Sequence, residues 1–192
     1  MKIAAIVLSG GKSERMGSPK ALLQYRGQSF LATILAVIAS ARMEPAIVVA
    51  GHHYDAIAKA FPDIQVTFNE DYEQGMSTSV QEGIRALPAG VDGAAIFLVD
   101  HPMIDKQTID ALVARLAPGR IIVPVHGGRR GHPVIVAVDL FNEILGLSPG
   151  QGLNTVVRRQ PERVVEVFVE NAGVLRDIDT PEQFARLLGE NQ

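Results

Sequence analysis

The sequence predicts a three-layer α/β architecture, a mostly parallel mixed sheet with helices on both faces. Apolar runs of strand length recur, closed by glycine or by a polar residue, as strands buried on both faces read. Between them lie stretches with apolar residues at helical spacing. The two kinds of segment alternate through the first half of the chain, the order that builds parallel sheets from crossover units. At 192 residues, 47% hydrophobic and 20% charged, the chain has the length of one domain and enough core to bury roughly 70% of its unfolded surface. A single domain over 1–192 is expected.

The first strand is Ile3–Ser9 (IAAIVLS), ended by Gly10-Gly11. A helix follows in SFLATILAVIASA behind Ser29, an N-cap residue type. Ala46–Gly51 is the second strand, YDAIAKAF a short helix, and Ile64–Asn69 the third strand. STSVQEGIRAL then reads as a helix opened by hydroxyl caps, Gly93–Asp100 as the fourth strand, and KQTIDALVARL as the next helix. RIIVPV and HPVIVAV flank the glycine-rich HGGRRG, which points to a hairpin or an inserted loop rather than a crossover. Helices are expected over Leu140–Leu147 and Leu153–Arg159, and late strands over VVEVFVE and VLRDID. The last helix, TPEQFARLL, carries Thr180 as N-cap, Pro181 at its first position and Gln183 to complete a capping box.

Composition removes several function classes. The chain has no cysteine, which excludes disulfides, thiolate metal sites and cysteine nucleophiles. A net charge of −3 leaves no basic footprint and argues against nucleic-acid and anionic-membrane partners. The opening apolar run breaks at the double glycine and is too short for a signal-peptide core or a membrane span, so a soluble cytoplasmic protein is expected.

The segment LSGGKSERMGSPK (Leu8–Lys20) contains Gly-Lys-Ser, yet it is not a Walker loop. The Walker pattern needs a glycine five positions before Gly11, where Ile6 stands, and no G-x-G-x-x-G can be read there either. What remains is a glycine-rich basic loop at the end of a buried strand. In open parallel sheets ligands bind beyond the carboxyl ends of the strands, and four such ends are legible: Ser9-Gly10-Gly11, Gly51-His52-His53, Asn69-Glu70 and Asp100-His101-Pro102. The first and fourth make a working pair. Backbone N–H groups of Gly10 and Gly11 with the cations Lys12, Arg15 and Lys20 form a cradle for a polyphosphate. Asp100 offers a hard oxygen ligand for Mg²⁺ bridging that phosphate.

Plainer readings stand beside these. The three cations would suit a solvated loop, but the buried strand and glycines ahead of them weigh against it. Asp100 could simply end its strand. Asp179, just before the Thr180 cap, could only favour a helix dipole. His52-His53 would point to opposite sides if extended, and no H-E-x-x-H occurs, so a zinc site is not expected. Arg129 and Arg130 could meet an anionic acceptor or be solvated turn residues. His132 could face the acceptor or order its loop. Ser77 and Ser79 suit helix capping, which does not exclude a phosphate at the same helix end.

LSGGKSERMGSPKALL resembles the signature loop of the GT-A-type nucleotidyltransferases, and most closely the MobA-like, molybdenum-cofactor group of cytidylyl- and guanylyltransferases. GMSTSVQEGI, FLVDHPMI, GRRGHPVI and DIDTPEQF follow in family order, so the similarity spans nearly the whole chain. It implies a Rossmann-like fold in which 1–105 binds the nucleotide and 106–192 the acceptor. It also implies a Mg²⁺-dependent reaction of a nucleoside triphosphate with a phosphorylated acceptor, molybdopterin for this group, releasing pyrophosphate. By similarity Arg15 clamps the β- and γ-phosphates, Lys20 neutralises the α-phosphate, Asp100 holds Mg²⁺, and Asp179 is a second carboxylate at that ion. Leu8, Ser9 and Gly10 line the base pocket, with Gly11 and Lys12 beside them; Gly75, Ser77 and Ser79 lie near base, ribose or acceptor phosphate. Arg129, Arg130 and His132 fall on the acceptor side.

Gly10-Gly11 leans towards the guanylyl branch and the STS and GHP segments towards the cytidylyl branch; the longer similarity makes CTP the expected nucleotide and GTP the alternative. Further alternatives are a sugar- or alcohol-phosphate acceptor, an accessory protein that delivers cofactor to a molybdenum enzyme, and an oxidoreductase on the same fold. No feature of the sequence supports a hydride-transfer cofactor.

Overall fold

The computed structural model describes residues 1–148 and 150–190. In chain order the elements are β1 (Ile3–Ser9), a two-stranded ribbon β2 (Gln24–Tyr25) and β3 (Gln28–Ser29), α1 (Phe30–Ser40), β4 (Ala46–Ala50), α2 (Tyr54–Ala60), β5 (Gln65–Phe68), α3 (Met76–Arg85), β6 (Gly93–Leu98), α4 (Lys106–Val113), β7 (Ile121–His126), β8 (Arg129–Arg130), β9 (Val134–Ala137), α5 (Phe141–Leu145), α6 (Leu153–Arg159), β10 (Val164–Phe168) and α7 (Pro181–Gly189). Among the described residues no helix is long and apolar enough to cross a membrane.

Every residue of β1 is buried, which is why its sequence runs apolar without alternation. It sits mid-sheet, parallel to β4 on one side and β6 on the other, in the order β10-β7-β9-β6-β1-β4-β5. β9 alone in that path runs antiparallel, to β6 and to β7, while β8 folds back on β7. The sheet is therefore mixed and mostly parallel, as expected. Successive side chains of β1 alternate between two cores. Ile3, Ala5 and Val7 pack with Leu31, Ile34 and Ile38 of α1, Ile57 of α2 and Ile109 and Leu112 of α4. Ile6 and Leu8 pack with Val80 and Ile84 of α3, Ile144 of α5 and Val156 of α6.

The caps read from sequence are formed at two helices. Ser29 Oγ accepts from the Ala32 N–H at 3.2 Å, and Thr180 and Gln183 make the reciprocal box at α7. Two expectations fail. α3 opens at Met76 behind Gly75, whose φ of 114° suits glycine, so Ser77 and Ser79 lie inside the helix and do not cap it. VLRDID is not a strand. Beside β7 the edge position is taken by β10, and 172–179 instead crosses the carboxyl end of the sheet, where the Ile178 N–H bonds the Asp100 carbonyl at 2.9 Å and the Val174 carbonyl accepts from His132 N–H. The β2–β3 ribbon was not anticipated. Its turn, Arg26-Gly27, has positive φ at both residues, and two-residue strands are too short to show alternation.

Gln81 ties the two halves of one helical layer together. Buried on α3, its Nε2 donates to the carbonyls of Ile144 and Leu147 at 3.0 and 2.9 Å and lies 3.3 Å from that of Leu145. These carbonyls cluster at the end of α5 and just beyond it, where backbone donors run short; the Ile144 carbonyl also accepts from the Leu147 N–H at 3.1 Å. Gln81→Leu removes a buried donor, above all from the Leu147 carbonyl, so the unfolding free energy in urea should fall by about 1–3 kcal/mol with an unchanged denaturant slope. An unaltered midpoint would mean that those carbonyls find other donors.

Candidate active site

The carboxyl ends of β1, β4 and β6 lie at one edge of the sheet because the three strands run parallel. There a cleft of about 520 Å³ opens. Its lining takes in Leu8, Ser9, Gly10, Gly11, Lys12, Arg15, Lys20, Gly75, Ser79, Asp100 and Asp179, thus joining the loop after β1, the start of α3, the tip of β6 and the entry to α7. Four residues singled out from sequence lie outside that lining. Ser77 is buried within α3. Arg129 and Arg130 form the exposed β8, where Arg130 Nε donates to Glu166 at 2.7 Å. His132 has its ring turned inward, against that of His101 at 5.5 Å between centroids.

Each charged group reaches the cleft for a local reason. The loop leaves β1 at Ser9 and folds on itself through the Ser13 carbonyl, which accepts from the N–H groups of Met16 and Gly17. His53, just beyond β4, pins it by bonding its Nε2 to the Lys12 carbonyl at 2.9 Å. Lys20 then starts a short 3-10 turn and sends its Nζ to Asp100 Oδ2 at 3.1 Å and to Asp179 Oδ1. Asp179 Oδ2 accepts from Arg15 Nη2 at 2.9 Å. The capping box of α7 fixes Asp179, because Gln183 Oε1 accepts from its N–H at 2.7 Å. The Lys20 side chain is only 14% exposed, so its two contacts are far less screened than surface pairs, whereas Arg15 is largely exposed.

The far wall is built around Tyr72, which no signal in the sequence singled out. A Cβ on Gly51 would stand 2.5 Å from both Tyr72 Cγ and the Gly10 carbonyl, so only glycine lets the ring close on the loop. Ser79 Oγ lies beside Gly10 and is held by Asn69 Nδ2 at 2.8 Å; the same amide also reaches Thr78 Oγ1. The lining further includes Ser13, Glu14, Met76, Leu98 and Val99. Position relative to strand ends would have suggested the last two; nothing local marks the others.

The carboxylates are tuned to stay ionised. Burial alone would raise the Asp100 carboxyl, but the hydrogen bond from His101 and the charge of Lys20 outweigh it and hold it below the ordinary 3.8. Asp179 is lowered chiefly by its hydrogen bond from Lys20. Among the described residues no group of three or more His, Asp or Glu side chains stands together as a metal cage. Two hard carboxylates that already meet on one ammonium nonetheless fit Mg²⁺, which takes one or two protein carboxylates and completes its shell with water and substrate phosphate.

Comparison with known proteins shows the family. The family described as MobA-like NTP transferase domain matches residues 5–164. The chain is 30% identical to the molybdenum cofactor cytidylyltransferase of Escherichia coli, over 95% of this chain and 93% of that protein. It is 27% identical to nicotine blue oxidoreductase of Paenarthrobacter nicotinovorans, over 97% and 96%. The crystal structure of Rv0371c from Mycobacterium tuberculosis superposes with a TM-score of 0.87 at 26% identity, covering 98% of each chain, and that protein has also been solved in complex with manganese.

Acid should unfold the protein in two stages. Burial, reinforced by the neighbouring His101, pushes His132 from 6.5 down to about 4. The unfolded chain therefore takes up a proton that the folded one refuses, so this stability is complete above 6.5 and lost as the pH falls towards 4. Asp100 and Asp179 act lower: their contribution is present above 3.8 and disappears as the pH drops through their depressed values. Urea unfolding between pH 7.5 and 4.5 should show a loss of about 2–3 kcal/mol that flattens in His132→Gln. Equal slopes in the two proteins would contradict a neutral buried His132.

Proposed function

The chain belongs to the MobA-like NTP transferase family and is a nucleotidyltransferase; from that premise we propose that it transfers CMP from CTP to the phosphate of molybdopterin or a molybdenum-cofactor form of it, releasing pyrophosphate. The observation that carries the reading is the meeting of Lys20, Arg15, Asp100 and Asp179 in the cleft beside the glycine-rich loop. In the reaction an oxygen of the acceptor phosphate bonds the α-phosphorus and the bond to the β-phosphate oxygen breaks, so the protein's work is alignment and charge neutralisation. Arg15 clamps the β- and γ-phosphates of the leaving group, and Lys20 meets charge growing on the α-phosphate. Asp100 and Asp179 would hold Mg²⁺, which when bound neutralises the triphosphate. Backbone groups of Leu8, Ser9, Gly10 and Gly11 line the base pocket, with Lys12, Gly75 and Ser79 on the nucleotide side; Ser77, buried within α3, takes no part.

Residues 1–105, joined by Asp179, thus serve the nucleotide and the rest of 106–192 the acceptor, with Arg129, Arg130 and His132 on the acceptor side. The arginines stand at the carboxyl end of β7, the edge that also carries the cleft, and are exposed enough to meet an anionic acceptor. His132, with its ring buried, serves that side by ordering the loop. A cytoplasmic location and delivery of the product to a molybdenum enzyme complete the proposal. A second reading keeps the chemistry and uses GTP; the double glycine of the loop favours it. Hydride transfer, which the name of the Paenarthrobacter relative would suggest, makes no direct use of two cations and two carboxylates gathered in this cleft.

Thermal shift with ATP, CTP, GTP and UTP, with and without Mg²⁺, should give a selective rise with CTP; a selective rise with GTP would move the assignment to the guanylyl branch. With molybdopterin and Mg²⁺, pyrophosphate release should disappear in Asp100→Ala and fall on the order of a hundredfold or more in Arg15→Ala, both proteins remaining folded. Full activity in either variant, or tight nucleotide binding without any release from the wild type, would overturn the transferase mechanism.

A further inference from the structure

The two oxygens of Asp100 have different partners. Oδ2 faces the cleft and Lys20 Nζ, while Oδ1 lies 2.9 Å from Nδ1 of His101. An ionised carboxylate only accepts hydrogen bonds, so in this contact His101 Nδ1 carries the proton. We infer that His101 is the positioning residue of the metal-binding carboxylate: it fixes Asp100 Oδ1 from behind, so that Oδ2 alone is presented to the cation in the cleft.

The surroundings of His101 suit that task. Its side chain is 9% exposed, and its backbone N–H bonds the Leu98 carbonyl at 3.1 Å, which closes the turn as the chain leaves β6. The ring is backed edge-on by His132, whose own buried Nδ1 has no partner among the described residues. The His132 segment is in turn anchored by its backbone N–H on the Val174 carbonyl at 2.9 Å. Pinned at its backbone and backed by a packed ring, His101 has little freedom to follow the carboxylate, so the carboxylate follows it. Without this bond Asp100, at a strand tip and 23% exposed, is free to turn either oxygen or both towards the cation. Outer partners of this kind typically change metal affinity 10- to 100-fold when removed.

The inference rests on the reading of Asp100 as a metal ligand, and the test separates the two. Dissociation constants of CTP and of GTP are measured by calorimetry without acceptor, once in EDTA and once in excess Mn²⁺; the ratio reports how strongly metal helps to hold the nucleotide. His101→Leu should shrink the ratio tenfold or more while the value in EDTA stays within about twofold. His101→Asn, whose amide nitrogen falls close to the Nδ1 position, should retain most of the wild-type ratio. His101→Gln, whose donor lies one bond further out, should not, and this pair decides the matter if His101→Leu fails to fold. Asp100→Asn is the control. If it leaves the ratio intact, the metal assignment fails; if it abolishes the ratio while His101→Leu and His101→Gln preserve it, only the role of His101 fails. Equal losses in folded His101→Asn and His101→Leu would also overturn that role.

Discussion

The cleft depends on one ammonium group. Lys20 Nζ stands between Asp100 and Asp179, which lie 80 and 159 positions away in the sequence, and through it the loop after β1, the tip of β6 and the entry to α7 are held together. At this depth each carboxylate would be costly without a cation, and the cation costly without a carboxylate, so the three are stable only as a set. Arg15 extends the set by taking the second oxygen of Asp179, and Lys12 pairs with Glu73 across the mouth of the cleft. The cations that line the cleft are therefore matched before any ligand arrives. An entering polyphosphate would compete with the two carboxylates for Lys20 and Arg15, so binding exchanges charge partners rather than meeting unpaired cations.

The rest of the site is arranged to leave that set undisturbed. Tyr72 and the Gly10 carbonyl both stand where a Cβ on Gly51 would fall, so the ring and the loop pack together only because residue 51 is glycine. His53 holds the Lys12 carbonyl from the end of β4, and the Asn69 amide fixes the hydroxyls of Thr78 and Ser79 at the start of α3. Polar groups so placed are satisfied by neighbours rather than by one another's charge, which leaves the charged residues as the part of the cleft able to change partners.

The sequence disclosed whatever is decided locally. β1, β4 and β6 are continuous apolar runs because both of their faces are covered, and their ends point to the cleft because parallel strands share a direction. Ser29 and Thr180 cap their helices through neighbours within four residues, which a sequence shows directly. The convergence of Arg15, Lys20 and Asp100 was legible from strand ends and charge, whereas the strength of Asp179 as a member of the cluster was not. Its position before a helix cap has an adequate local explanation, and only the return of 172–179 over the sheet edge supplies the other. The same return explains why VLRDID misled: its apolar residues are buried, Val174 in the core beside the sheet and Ile178 against Tyr25, Phe30 and Leu187, but its backbone joins no strand ladder. Tyr72, and the role of His101 at its strand end, were illegible for a related reason. Each acts on a backbone or carboxylate that the fold, not the sequence, brings beside it.

The antiparallel strand accounts for the inner layer behind Asp100. Had β9 run parallel to its neighbours, its beginning would lie at the amino edge of the sheet, far from the cleft. Because it is reversed, Val134 stands level with Ile96 near the end of β6, and the residues just before it arrive at the carboxyl edge. Gly131 then packs so closely on Val174 that a Cβ would come within 2.2 Å of its carbonyl, which draws the His132 segment and the Ala172–Leu175 turn together. Ile178 continues that contact to the Asp100 carbonyl, one residue short of Asp179. A single reversal of strand direction thus supplies Asp100 with its histidine backing and brings its carboxylate partner to the same edge, two results that an all-parallel sheet of the same composition would not give.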